Sequence, residues 1–281
     1  SQLSQYLRAV IGGTVQVQGE LKNVAALGVY GTLESVDLTV GQVESADQKG
    51  SEPYRLTNEG TARLSFENDV GTVRGFRLTG PNTSLAIEGD IPHSAAPMQL
   101  AVTGTANLAI LQLFGDPATM VSSGALTLNA DLSGSVENLN ISGRANITDG
   151  RLRYRSFPHG LEQINGPLTF DANQINVDEL RGRMAGGEVT FSGAVSLKGL
   201  VPDEFDVRAE GRSMGLRFPT GFRSTVNAGL RLTGPVISPT LSGDVTVLRS
   251  TYLQEIDNDQ AIYALVGLGA RAQGDAGAPE A

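Results

Sequence analysis

From Gly124 to Leu197 apolar and polar side chains take turns along the chain. Leu126, Leu128, Ala130 and Leu132 are separated by Thr127, Asn129, Asp131 and Ser133. Val189, Phe191, Gly193, Val195 and Leu197 alternate in the same way with Thr190, Ser192, Ala194 and Ser196. Side chains on a strand point to opposite faces in turn, so a period of two predicts a sheet with one apolar and one wet face. The pattern also runs through Val15, Val17, Gly19 and Leu21, from Val29 to Val40, and from Thr61 to Ile91. Asp149-Gly150, between Ile147 and Leu152, predicts a tight two-residue hairpin turn. The expected fold class is therefore all-β, an antiparallel meander of short strands.

Other stretches break the alternation. Leu3, Leu7, Val10 and Ile11 have helical spacing and predict a short amphipathic helix over 1–11. Asn107 to Phe114 (NLAILQLF) predicts another, stopped by Gly115-Asp116-Pro117, and Asp259 to Arg271 a third. Gly41 to Arg55 has the polar, Gly-rich composition of a loop, and Gly274 to Ala281 that of a disordered tail.

The chain also echoes itself. Leu132 to Gly143 matches Leu232 to Gly243 at an offset of 100, and Gly19 to Val24 answers to Gly134 to Leu139. At an offset of 104, Phe66, Val73, Phe76, Leu85, Ile87, Gly89 and Ile91 match Phe170, Val177, Leu180, Val189, Phe191, Gly193 and Val195. Fixed-period similarity signals a repeat architecture, here modules near 1–99, 100–204 and a partial third at 205–281. Within the echo the parity slips twice. Val73 and Phe76, and likewise Val177 and Leu180, are apolar but three apart. Keeping both on one face needs an extra residue, so β-bulges or strand breaks are predicted at Arg74–Phe76 and Asp178–Leu180.

Composition narrows the possibilities. The net charge of −9 and the lack of a basic cluster argue against nucleic acid. Arg151, Arg153 and Arg155 alternate with Leu152 and Tyr154, the spacing of one solvated strand face. The absence of cysteine excludes disulfides and thiol chemistry. No apolar run reaches the 18 residues of a membrane span, and the opening SQLSQYLRAV, without Met, reads as a fragment.

No catalytic or metal site and no cofactor is expected. Gly267-Leu268-Gly269-Ala270-Arg271-Ala272 fits a dinucleotide pattern, but that pattern needs a following helix and a distant acid. His93 and His159 each follow a proline, which reads as surface turns, and no third histidine is present to complete a ligand set. Asp178-Glu179 reads as solvated, and the sequons at Asn82, Asn140 and Asn146 as formal matches only.

An alternating sheet this long has an apolar face that something must cover, and the chain has few helices, no Trp and 5% aromatic residues. The sheet must fold on itself. Either its walls touch or an apolar guest fills the gap. The lining expected on one shared face is Leu126, Leu128, Leu132, Ile141, Ile147, Leu168, Phe170, Val189, Phe191, Val195, Leu230, Leu232, Val245 and Val247. About 20 strands at ~4.8 Å spacing would make such a sheet roughly 95 Å long.

The run Leu126–Gly143, the continuation through Ile164-Asn165-Gly166-Pro167-Leu168-Thr169-Phe170 to Gly187–Gly193, and the echo at Leu230–Tyr252 resemble the TamB family of AsmA-like proteins. The resemblance implies an elongated sheet curled into a taco-like trough with an apolar interior. It implies a periplasmic location, with inner-membrane anchoring and membrane contact supplied by parts of a longer protein. It also implies phospholipid as cargo, an outer-membrane barrel partner of the TamA type, and no catalytic residues. Two functions follow as expectations: a non-catalytic conduit shielding acyl chains between membranes, or a structural, chaperone-like module for outer-membrane protein assembly. A glycan hydrolase on a β-solenoid would need a carboxylate pair at a set separation.

Overall fold

The computed structural model describes residues 7–18, 28–40, 54–67, 70–92, 97–113, 120–135, 138–217 and 220–252. Its strands are β1 (Leu7–Gln18), β2 (Gly28–Val40), β3 (Tyr54–Asn58), β4 (Ala62–Glu67), β5 (Val70–Gly80), β6 (Thr83–Pro92), β7 (Met98–Asn107), β8 (Met120–Gly134), β9 (Leu139–Tyr154), β10 (Leu161–Asp171), β11 (Gln174–Met184), β12 (Gly187–Lys198), β13 (Val201–Leu216), β14 (Phe222–Pro235) and β15 (Thr240–Tyr252). All of them join one sheet, in sequence order. β3 and β4 share a single position, since each pairs with β2 on one side and β5 on the other. β7 and β13 carry the chain through positions 99/100 and 204/205 without leaving the sheet. The all-β antiparallel expectation holds.

Four details differ from the pattern reading. Residues 7–11 are strand, because Ala9, Ile11, Val15 and Val17 alternate at period two and the whole of β1 pairs with β2; pairing overrides the helical spacing. Residues 1–6 lie outside the described set. Asp149-Gly150 is not a hairpin turn but a bulge inside β9, opposite the single residue Gly124 of β8. Tyr54 and Arg55, at the end of the expected loop, are already in β3. Finally, the described strands occupy fourteen positions rather than about 20. At ~4.8 Å spacing that is roughly 60 Å of sheet. Bulges let one strand continue where the pattern implied a new one, so strands such as β9 reach 16 residues.

The predicted slips are real. The ladder between β5 and β6 shifts between Val73 and Phe76, and that between β11 and β12 shifts between Val177 and Leu180. Each shift leaves two consecutive exposed residues, Arg74-Gly75 and Asp178-Glu179, before apolar inward positions resume. The same signature recurs at Glu34-Ser35, Thr148-Asp149, Glu162-Gln163 and Arg212-Ser213. A bulge bends its strand and increases twist, so these repeated slips curl the sheet while keeping one face apolar.

The curl gathers a core on the apolar face. Val36, Leu78, Leu85 and Ala106 form one cluster, with Leu126 and Leu128 packed against it. Leu108, Ile147, Ile164, Val177 and Leu180 form a second, and Val189, Met214 and Val226 a third. Leu108 opens a 3-10 helix, Leu108–Leu113, between β7 and β8. This is the helix expected over Asn107–Phe114, and burying its leucine contributes about 2 kcal/mol. Gly193 shows how tightly the strands close. A methyl group there would lie 2.1 Å from the Asp206 carbonyl oxygen, and its φ of 124° favours glycine.

Candidate apolar groove

Register decides which side chains share a face, because partners opposite one another in an antiparallel ladder point the same way. Leu126 stands opposite Ile147, Leu132 opposite Ile141, and Leu128 opposite Ala145, which stands opposite Leu168. Phe170 stands opposite Ile175, Ile175 opposite Val195, and Val195 opposite Phe205. Phe191, Ala209 and Leu230 form another row, as do Val189, Gly211, Ala228 and Val245. Val207 stands opposite Leu232, and Val226 opposite Val247. The ladder thus places every expected lining residue on a single face of the sheet.

Exposure along that face is graded. Ile147 and Val189 are buried, at 9% and 5% exposed. Leu126, Leu128, Leu132, Ile141, Leu168, Phe170, Phe191, Val195, Leu230 and Leu232 are half-buried. Val245 and Val247 on β15 are each 56% exposed. The apolar face is therefore covered in the middle of the sheet and opens toward its last strand. At the other end Ile11, Val15 and Val17 of β1 are exposed as well.

The opposite face is polar. Thr127, Asn129 and Asp131 are exposed there, as are Arg151 and Arg153, whereas Arg155, expected on the same strand face, is exposed in the turn after β9. Asn165, Arg181, Arg183, Thr190, Glu210 and Arg212 help line a concavity of about 760 Å³ beside the bulges of β9–β13. Asp178 and Glu179 are exposed, and Glu179 pairs with Arg181 at 2.6 Å. Arg231 donates to Asp206 through Nε at 2.9 Å and Nη2 at 3.0 Å, and this hydrogen bonding holds the Asp206 carboxyl below the usual carboxylate range. Asp37 is lowered in the same way by its hydrogen bond from Arg55.

The pattern reading missed the side chains that stabilise the bulges. A bulge frees a backbone N–H from the ladder, and a neighbouring strand supplies the acceptor. Asn165 Oδ1 accepts from Asp149 N at 3.0 Å, Asn227 Oδ1 from Ser213 N at 2.9 Å, and Asn58 Oδ1 from Val36 N at 2.7 Å. The available signal was a pair of apolar or glycine positions three apart, as in Ile147/Gly150 and Gly211/Met214, with Asn on the next strand.

His159 sits in the turn after β9, where Nε2 accepts from Arg217 N at 2.8 Å, tying that turn to the end of β13. His93, the Gly267–Ala272 pattern, the helix over Asp259–Arg271 and the tail from Gly274 lie outside the described residues. No helix among the described residues is long and apolar enough to cross a membrane.

Residues 178–264 match the family model described as the TamB C-terminal domain. A search of curated proteins found no match, and neither did a search of solved structures.

Proposed function

We propose that this chain, whose residues 178–264 match the TamB C-terminal domain, is a segment of a periplasmic conduit of the TamB type, a family of non-enzymatic transport and assembly modules of the cell envelope with a TamA-type partner. Its apolar face shields phospholipid acyl chains moving between the inner and outer membranes. One observation carries the reading: a single apolar face continues by register from β1 to β15, with polar side chains on the opposite face. An acyl chain needs continuity of apolar surface and no particular hydrogen-bond partner, which is what such a face offers. Membrane anchoring and contact with the barrel partner belong to the longer protein. The sequence echo marks three modules, 1–99, 100–204 and 205–281, as lengths of one trough.

Charge should interrupt this path. Val245 and Leu230 lie at the open end, where Val245 is more than half exposed, so arginine there can reach water and leave the fold intact. Val245→Arg and Leu230→Arg should retain the wild-type circular dichroism spectrum and take up less fluorescent phospholipid from vesicles. Unchanged uptake by the folded variants would refute the conduit.

The assembly reading rests on a different feature. β15 pairs with β14 on one side and with no other strand among the described residues, and such an edge can accept a further strand. It predicts capture of an extended outer-membrane protein segment, insensitive to Leu230→Arg.

A further inference from the structure

The 3-10 helix Leu108–Leu113 lies within the trough itself. Leu108, 5% exposed, packs into the cluster of Ile147, Ile164, Val177 and Leu180 from β9–β11. The next residue, Ala109, packs against Tyr54 and Leu56 of β3 on the other wall. Leu126, Leu168 and Phe191, all expected lining residues, pack against the Leu108 cluster. A lipid passing along the apolar face would meet the helix at this point.

Its attachment is light. A 3-10 helix of six residues has poor hydrogen-bond geometry and little stability of its own. The hydrogen bonds seen among the described residues hold its first turn. Ser122 Oγ donates to the Leu108 carbonyl at 2.9 Å, and Asn107 Oδ1 accepts from Ala109 N at 2.9 Å. Asn107 N donates to Thr83 Oγ1 at 2.9 Å, and Thr83 hydrogen-bonds the Tyr54 hydroxyl. The buried polar pair Thr83 and Ser122 thus anchors the ends of β7 and β8, and the helix itself is kept in place by the apolar seat of Leu108.

We propose that this helix is a displaceable plug: Leu108 occupies an acyl-chain seat formed by Ile147, Ile164, Val177 and Leu180, and phospholipid competes with it for that seat. The inference rests on the conduit reading and adds regulation to it. With the helix seated, the centre of the trough is closed to lipid while the β14–β15 end remains open. With the helix displaced, the apolar face is available along its length.

The test uses the full chain and a phosphatidylethanolamine carrying a diazirine in its acyl chain, with labelled residues mapped by mass spectrometry. In the wild type, labelling should concentrate on β14–β15 and be weak on β9–β11. Leu108→Ala empties the seat and should raise labelling of β9–β11 several-fold, with β14–β15 unchanged. Ser122→Ala, which removes only the hydrogen bond to the Leu108 carbonyl, should act in the same direction by a smaller factor, and it serves if Leu108→Ala fails to fold. Equal labelling of both regions in the wild type, unchanged in a folded variant, would overturn the plug and leave the conduit standing. Absence of labelling at both regions in every protein would overturn the conduit, and the plug with it.

Discussion

At Gly193 there is no room for even a methyl group, with the Asp206 carbonyl oxygen 2.1 Å from where it would sit. Gly193→Ala combines this clash with a positive φ and should destabilise by about 1–3 kcal/mol, measured by urea unfolding. Asn165 is a second pressure point, because its loss leaves the Asp149 N–H without its acceptor. Asn165→Ala should cost about 1 kcal/mol. The lowered Asp206 carboxyl sets a sign for pH dependence. Its stabilising contribution is present above the usual carboxylate pKa and is lost as pH falls through the lowered value. The pair is exposed, so the effect is small and screened by salt. Thermal melts should show that Asp206→Asn slightly lowers stability above pH 7, where the pair is intact, and removes part of the acid sensitivity, so that the variant and wild type converge at low pH. Which side chains share the apolar face could be read from the sequence because alternation encodes face directly. Asn58, Asn165 and Asn227 could not, since an asparagine in a strand looks like any solvated residue until the neighbouring bulge is known.

The strands explain why some slips were visible and others were not. Val177 and Leu180 are both bulky, so an apolar spacing of three stood out. At Ile147/Gly150 and Gly211/Met214 one member is glycine, and Asp149-Gly150 imitates a turn. The structure shows instead that β9 runs on through this site, with Asp149 at a φ of 48°. If bulges are what keep the faces in phase, deletions should be tolerated by position. Removing Glu179 leaves Val177 and Leu180 two apart, on one face, with a regular ladder. Removing Arg181, within the regular ladder, turns the following residues to the wrong face. Denaturation midpoints should therefore fall much further for the Arg181 deletion than for the Glu179 deletion; equal losses would contradict the account. The helix over Leu108–Leu113 was legible as a break in alternation, but its seat against both walls depends on the curl and had no sequence signal.

At the largest scale the described strands form a sheet whose two faces differ in chemistry and whose ends differ from its middle. The apolar face is filled by its own side chains near Ile147 and Leu180, and open at Val245 and Val247. Sequence repetition announced a long sheet, and the described strands occupy fewer positions than it suggested, because bulged strands read as two. The family match over residues 178–264 covers the region where this opening develops. The most direct measurement of the central claim is the phospholipid content of protein purified without detergent, by mass spectrometry of its organic extract. The conduit account predicts phospholipid at about one molecule or more per chain, refilled from vesicles after delipidation. Protein that carries no phospholipid, and takes up none when vesicles are supplied, would contradict it.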